Sequence, residues 1–482
     1  MKMPEWLPDT HRPTRPERGR RPMIERWARP IVRFMQVEAA SGLLLLACTA
    51  LALVLANSAW SAPFAEFWQT RVGFTVGSFA LYKPLLLWID DGLMAIFFFV
   101  VGLEIKAEIV FGELRELRKA ALPVAAALGG MVVPAAIYLV LQRGQPGERG
   151  WGIPMATDIA FVVGFLALLG RRVPFSLKIL LLTLAIVDDI GAVLVIAVAY
   201  TVDISLAYLA VAAAGFGIVY LCNRIGVRPV PVYFILGAGI WLAFLKSGVH
   251  PTVAGVLLGL LTPAYPWFTQ RSLVNVAEGV VHRLRQDQET GEETTHHEES
   301  VRLLTATARE TISPLDRLET ALHPWVSFGI MPLFALANAG MRIDLPEMGS
   351  PVAIAVMLSL ALGKPLGIVA FSWAAVRLGL ARLPSGVNWP GLIGAGCLAG
   401  VGFTMSLFIA GLALEGNLLT AGKIGTLLGS TVSAVLGLGL LLAFLPRPSV
   451  SREAGAEIAG GPEGPSPDDV SRPRLQETQG EK

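Results

Sequence analysis

PFSLKILLLTLAIVDDIGAVLVIAVA, residues 174–199, decides what kind of chain this is. A bilayer core needs about 20 mostly apolar residues in helical form, and this stretch supplies them. Yet Asp188 and Asp189 stand side by side at its centre. Ionisable groups inside apolar segments are costly and mark ion or proton pathways by default. The structural alternative is a buried ion pair that only joins helices. It accounts poorly for adjacent acids followed by an unbroken apolar run, because one lysine cannot neutralise all of them.

Three further charges share that setting: Asp158 in MATDIAF, Asp91 in WIDDGLMAI and Lys364 in LALGKPLG. The chain is 54% hydrophobic and only 16% charged, so it reads as an all-α polytopic membrane protein in contact with lipid rather than a water-soluble fold. A formal charge of +2 is spread through connections and tails, and no nucleic-acid partner is implied. Cys48, Cys222 and Cys397 lack the spacing of a disulfide framework or zinc site and read as small buried residues.

Apolar blocks fall near 39–57, 85–107, 119–140, 152–170, 174–199, 204–222, 229–246, 248–264, 323–341, 351–378, 388–411 and 421–445, which gives twelve expected spans. Arg115, Arg118, Lys119, Arg171, Arg172, Arg224 and Arg228 lie on the same side as the Arg-rich tail 1–38. By the positive-inside rule that side is cytoplasmic and holds both termini. Spans one to eight occupy 39–264, a cytoplasmic insertion and connection 265–322, spans nine to twelve 323–445, and a polar tail 446–482. The acidic middle of the insertion, QDQETGEETTHHEES, reads as disordered, as does the tail. Between Trp60 and Lys83, residues 72–81 alternate with the period of a strand pair. Such a ribbon is either a homodimer contact or a loop with no partner.

Consecutive helical residues point about 100° apart, so Asp188 and Asp189 have different neighbours. One can face a cavity while the other faces a helix. Carboxylate oxygens suit a hard monovalent cation such as Na⁺ or Li⁺, and a proton competes for the same oxygens. Such competition exchanges one species for the other if the loaded site opens alternately to the two faces. Pro154 and Thr157 make the segment around Asp158 a poor regular helix, and Gly396, Gly400 and Gly402 do the same for GCLAGVGFTMSLF. Interrupted helices in corresponding positions point to a transporter site. The same glycines can also serve close helix packing. Lys364, followed by Pro365, is expected at a kink, where it can pair with Asp188, balance broken-helix ends or take part in proton exchange.

ATDIAF, AIVDDIG, LKSGVH, LFALANAG, GKPLG and GFTMSLFIA occur in this order. Together they make the chain from about Val37 to Leu445, without the insertion, resemble the bacterial sodium/proton antiporters of the NhaA type. The resemblance implies inverted repeats, two discontinuous helices crossing near the membrane midplane, and a place in the bacterial inner membrane. It implies electrogenic exchange of two protons for each Na⁺ or Li⁺, activated at alkaline cytoplasmic pH, with no enzymatic activity and no cofactor. By position, Asp189 and Asp188 resemble the cation-binding and proton-carrying acids, Asp158 the acid that offsets the helix ends, and Lys364 the lysine paired with Asp188. Thr157, Gly400 and Gly402 fall at the backbone breaks. Asp91 resembles an acid of the second span, Glu104, Glu108 and Glu319 a cytoplasmic-funnel cluster, and His250 a histidine linked to pH response. Ala107, Thr320 and Asp316 depart from the family's basic residues, so the pH threshold does not transfer. A cation channel and a membrane aspartyl protease are the alternatives: a channel conducts without obligatory proton exchange, and a protease needs two opposed carboxyls sharing a proton.

Overall fold

Within hydrocarbon no water is present to satisfy backbone N–H and C=O groups, so a spanning chain must pair them internally. The computed structural model describes residues 38–445 apart from 78, 170–171, 202, 228, 267–272, 283–294 and 344, and the described chain is nearly all helical. The readings made for the tails 1–37 and 446–482 lie outside the described residues.

The elements run α1 (Glu38–Ala56), α2 (Ser61–Gln69), β1 (Arg71–Val76), β2 (Phe79–Pro84), α3 (Met94–Val110), α4 (Leu117–Gln142), α5 (Ile159–Leu169) and α6 (Phe175–Ala199). They continue as α7 (Leu206–Arg224), α8 (Val230–Ser247), α9 (Thr252–Leu261), α10 (Thr295–Glu310), α11 (Pro314–Trp325) and α12 (Met331–Asn338). The last group is α13 (Pro351–Leu358), α14 (Lys364–Arg377), α15 (Trp389–Ala399), α16 (Phe403–Ala413) and α17 (Gly416–Phe444). Seven described helices are long and apolar enough to cross a membrane, and nine if each of two bent pairs, α1 with α2 and α15 with α16, is one span. The remaining expected spans carry shorter helices: α3 behind a π-helical turn at Trp88–Leu93, α5 behind a 3-10 segment at Glu148–Met155, and α9. Leu43, Leu168, Val198 and Phe234 are among the many large apolar side chains left open on the outer surface. On a water-soluble protein such a surface would aggregate; on a multi-pass membrane protein it meets lipid.

Two prolines explain two local widenings. A proline ring inside a helix clashes with the carbonyl four residues earlier. Pro365 is preceded by a π turn at Ser359–Gly363, which joins α13 to α14, and Pro332 by one at Val326–Ile330, which joins α11 to α12. Each turn contains that fourth carbonyl, of Ala361 or Phe328, and its wider ring makes room. The kink expected at Lys364 therefore takes the form of a π turn one residue ahead of it.

The alternation in 72–81 does form a hairpin. β1 pairs antiparallel with β2, with Arg71 opposite Pro84 and Phe74 opposite Leu81. Gly77 turns the chain at φ 61°, a left-handed value that favours glycine. Trp88 Nε1 donates to the Val72 carbonyl at 2.8 Å and ties the hairpin to the π turn before α3.

The insertion departs from its reading. The acidic stretch taken as disordered runs, from Thr295, into α10, while 283–294 lie outside the described residues. Downstream of the acids, Leu304 is partly covered and Thr307 buried, three residues apart, which gives the helix a packed face. α11 also starts earlier than the expected ninth span, at Pro314, where the Ser313 side chain caps it by accepting from Asp316 N–H at 3.0 Å.

Candidate functional site

Two chain breaks meet at the centre. Residues 156–158 are non-helical between the 3-10 segment and α5, and α15 and α16 are separated by Gly400–Gly402 and bent by 47°. The breaks are joined directly, since Asp158 N–H donates to the Val401 carbonyl at 2.8 Å. Close approach explains Gly400: a Cβ there would lie 2.6 Å from both the Leu360 carbonyl and Ser433 Oγ. Ser430 Oγ accepts from Phe403 N–H at 3.1 Å, and the Ser406 hydroxyl donates to the Ile153 carbonyl at 2.7 Å.

Charge is placed on these ends according to their polarity. Helix N-termini present unpaired N–H groups and carry partial positive charge; C-termini present carbonyls and carry partial negative charge. The carboxylate of Asp158 serves two N-termini, accepting at Oδ1 from Phe161 N–H (3.4 Å) in α5 and at Oδ2 from Thr404 N–H (3.0 Å) in α16. The Thr404 hydroxyl also donates to Oδ2. At the carbonyl ends, the Lys364 ammonium donates to the Met155 carbonyl, and the Thr157 hydroxyl lies 3.0 Å from the Ala399 carbonyl.

Asp188 and Lys364 are brought into contact, with Nζ 2.9 Å from Oδ2 and both side chains fully buried. Thr157 Oγ1 reaches the same Oδ2 at 2.6 Å. Asp189, 2% exposed, is within electrostatic reach of Glu104, Asp188, Asp158 and Lys364. One buried oxygen on each acid, Oδ1 of Asp188 and Oδ1 of Asp189, has no hydrogen-bond partner. Buried polar atoms are rarely left unpaired, and carboxylate oxygens in this state can accept a proton or a hard cation.

Glu104, Glu108 and Glu319 lie toward one end of this site. Glu104 is within electrostatic reach of both Asp189 and Glu319. Glu108 Oε1 accepts from the Thr183 hydroxyl at 3.0 Å and from Glu113 N–H at 2.9 Å. A cavity of about 390 Å³ opens here, lined among others by Glu108, Glu116, Lys119 and Thr183. Thr183 precedes Asp189 on α6 by roughly 9 Å of helix axis, so the cavity approaches the acids from this side. Ala107, where the resemblance leads one to look for an arginine, packs beside Leu103, Ala264 and Leu315 and places no cation between Glu104 and Glu108.

Asp91 and His250 fall elsewhere, together, at the hairpin end. Asp91 accepts from Lys83 at 2.6 Å, His250 Nε2 lies 3.6 Å from Asp91 Oδ1, and His250 Nδ1 lies 2.8 Å from Thr252 Oγ1. Several polar groups escaped notice in the sequence. Thr404 and Ser430 are ordinary helix residues until the breaks are placed, and Asp90, Asn338 and Lys423 lie near helix ends where polar residues are common. Asp90 Oδ1 accepts from Asn338 Nδ2 at 2.7 Å, and Lys423 donates to the Asn338 carbonyl at 2.8 Å. The second acid of WIDDG was the available signal for Asp90.

Comparison with known proteins follows the same lines. Residues 32–441 match the family model described as Na+/H+ antiporter 1. The chain is 52% identical over 426 residues to the Na(+)/H(+) antiporter NhaA of Rhodopirellula baltica, covering 88% of this chain and 96% of that protein. It is 48% identical over 440 residues to the Na(+)/H(+) antiporter NhaA 2 of Acidiphilium cryptum, covering 91% and 97%. It is 48% identical over 431 residues to the Na(+)/H(+) antiporter NhaA of Rhizobium meliloti, covering 88% and 97%.

Proposed function

Because the chain belongs to the Na+/H+ antiporter 1 family, we propose that it expels Na⁺ or Li⁺ in electrogenic exchange for protons, two protons entering for each cation. The observation that carries this reading is the pair of consecutive buried acids, each with one unpartnered oxygen, beside a lysine already engaged by one of them. Asp189 binds the cation directly. Asp189 takes one proton and the Asp188–Lys364 pair the other. A cation entering from the Glu108 side displaces the Asp189 proton and draws Asp188 away from Lys364, which sheds its proton once unpaired. The cation's departure returns one proton to each and restores the pair. Asp158 holds its charge at the two helix N-termini and keeps the breaks in register, so the site can be exposed to each face in turn without leaving orphaned backbone groups in the hydrocarbon.

In this reading twelve spans cross the bacterial inner membrane, the three short helices α3, α5 and α9 included, with both termini cytoplasmic. α5 and α16, with the segments that precede them, are the halves of two discontinuous helices in inverted repeats. The Glu104, Glu108 and Glu319 side is the cytoplasmic entrance, through which alkaline pH activates transport, and His250 with Asp91 contributes to that response. Two copies associate through the 60–83 connection. The reaction makes and breaks no covalent bond in a substrate and uses no cofactor.

Purified protein in proteoliposomes, with Na⁺, Li⁺ and K⁺ compared across pH and the membrane potential clamped, tests the proposal. Proton efflux coupled to Na⁺ or Li⁺ entry, absent with K⁺ and driven by potential, is expected. Cation flux with no accompanying proton movement would instead indicate a channel.

A further inference from the structure

A cavity lies on the Glu108 side of the acids, and aromatic side chains are packed together on the hairpin side. On the hairpin side, Phe408 of α16 packs against Phe98 of α3, Phe334 of α12 and His250, with ring centroids 5.7, 6.1 and 5.3 Å apart. Beyond Phe334 by one turn on α12 stands Asn338, whose amide donates to Asp90 and whose carbonyl accepts from Lys423. The Lys423 ammonium is also within electrostatic reach of the Asp90 carboxylate. These groups come from different helices. Lys423 stands on α17, which packs on α13, α15 and α16 around the breaks. Asn338 stands on α12, which packs chiefly on α1 and more lightly on α16, and Asp90 lies in the π turn ahead of α3, which packs chiefly on α9.

We propose that Lys423, Asn338 and Asp90 form a clasp that shuts the hairpin-side half of the ion path, with Phe408 as the plug beneath it. Lys423 reaches from the helices that hold the site to the helices that face it. When the site turns toward the hairpin side, the Lys423 contact must part and Phe408 must leave its aromatic neighbours. A polar clasp suits this task because an ammonium and a carbonyl exposed to entering water exchange one partner for another at little net cost, while an apolar seam of the same extent would resist wetting. Removing the Lys423 ammonium weakens only the closed state, so the balance shifts toward the state open at the hairpin. The inference rests on the exchange reading above, since only a path that opens alternately needs an end that both shuts and opens.

The test uses full-length protein in sealed vesicles, with Cys48, Cys222 and Cys397 replaced by alanine and Met331→Cys as reporter. Met331 is buried on α12, about two turns inside Asn338. An impermeant maleimide applied from the hairpin side should label this parent slowly and the Lys423→Met variant at least about fivefold faster. Lys423→Arg, which keeps the charge and a donor, should stay near the parent. Asp90→Asn, which keeps the shape and an acceptor, should also label faster and gives a second route to the result if Lys423→Met folds poorly. Labelling as slow as the parent's in a folded Lys423→Met or Asp90→Asn protein would overturn the clasp. Na⁺-dependent proton movement, measured on the parent vesicles, reports separately on the exchange reading.

Discussion

Asp188 and Asp189 leave α6 about 100° apart, and the structure gives them different company: Lys364 and Thr157 for the first, the Glu104 side for the second. Breaking a buried ion pair by removing one partner leaves an uncompensated charge and typically costs about 3–5 kcal/mol. Lys364→Ala should therefore lower the thermal stability of the purified protein markedly, and Asp188→Asn less, because the lysine left behind can shed its proton. Equal melting temperatures for Lys364→Ala and wild type would mean that the pair contributes no stability. If a cation and a proton contend for the Asp189 oxygens, apparent Na⁺ affinity should fall as pH drops, by about tenfold per pH unit for each proton displaced. Titrations of Na⁺ binding at several pH values check this, and a pH-independent affinity would place cation and proton on separate groups.

At the scale of elements, the sequence disclosed the breaks by composition but not their partnership. Pro154 and Thr157 beside Asp158, and Gly400 and Gly402 in an apolar run, mark helices that cannot continue. That Thr157 lies against the Ala399 carbonyl, or that Asp158 caps α16 through Thr404, is a contact between residues more than two hundred positions apart, which local pattern does not encode. Lys364 was legible as a buried charge at a kink, while its bond to the Met155 carbonyl was not. Asp90, Asn338 and Lys423 went unseen because single polar residues near span ends resemble ordinary interfacial ones. The acidic stretch of the insertion was misjudged from Thr295 onward because its composition was weighed without the Leu304 and Thr307 face that follows. Gly400→Ala would place a methyl 2.6 Å from the Leu360 carbonyl and from Ser433 Oγ, and overpacking of this kind costs about 1–3 kcal/mol. Lower thermal stability with reduced exchange is expected, whereas Gly411→Ala, where a Cβ meets nothing within 4 Å, should be nearly neutral.

At the scale of the whole molecule, a cavity lies at the Glu108 end and packed aromatic rings at the hairpin end, and the proposed exchange requires each end to open in turn. The hairpin itself stands apart from the acids, so its proposed part in dimerisation is separable from exchange. If two copies associate through this hairpin, the detergent-solubilised wild type should be a dimer by light scattering and the protein lacking residues 71–84 a monomer with Na⁺-driven proton movement still measurable; a dimer that survives the deletion would assign association to another surface. The central claim concerns Asp189 as the seat shared by cation and proton. Proton release on Na⁺ addition, followed with a pH dye in weakly buffered detergent solution alongside calorimetric Na⁺ binding, tests it most directly for wild type and Asp189→Asn. Wild type should bind Na⁺ and release protons, and Asp189→Asn, which keeps the size but loses the charge and the titratable proton, should do neither. Na⁺ binding and proton release of wild-type size in Asp189→Asn would contradict the account and move the exchange to Asp188 or Asp158.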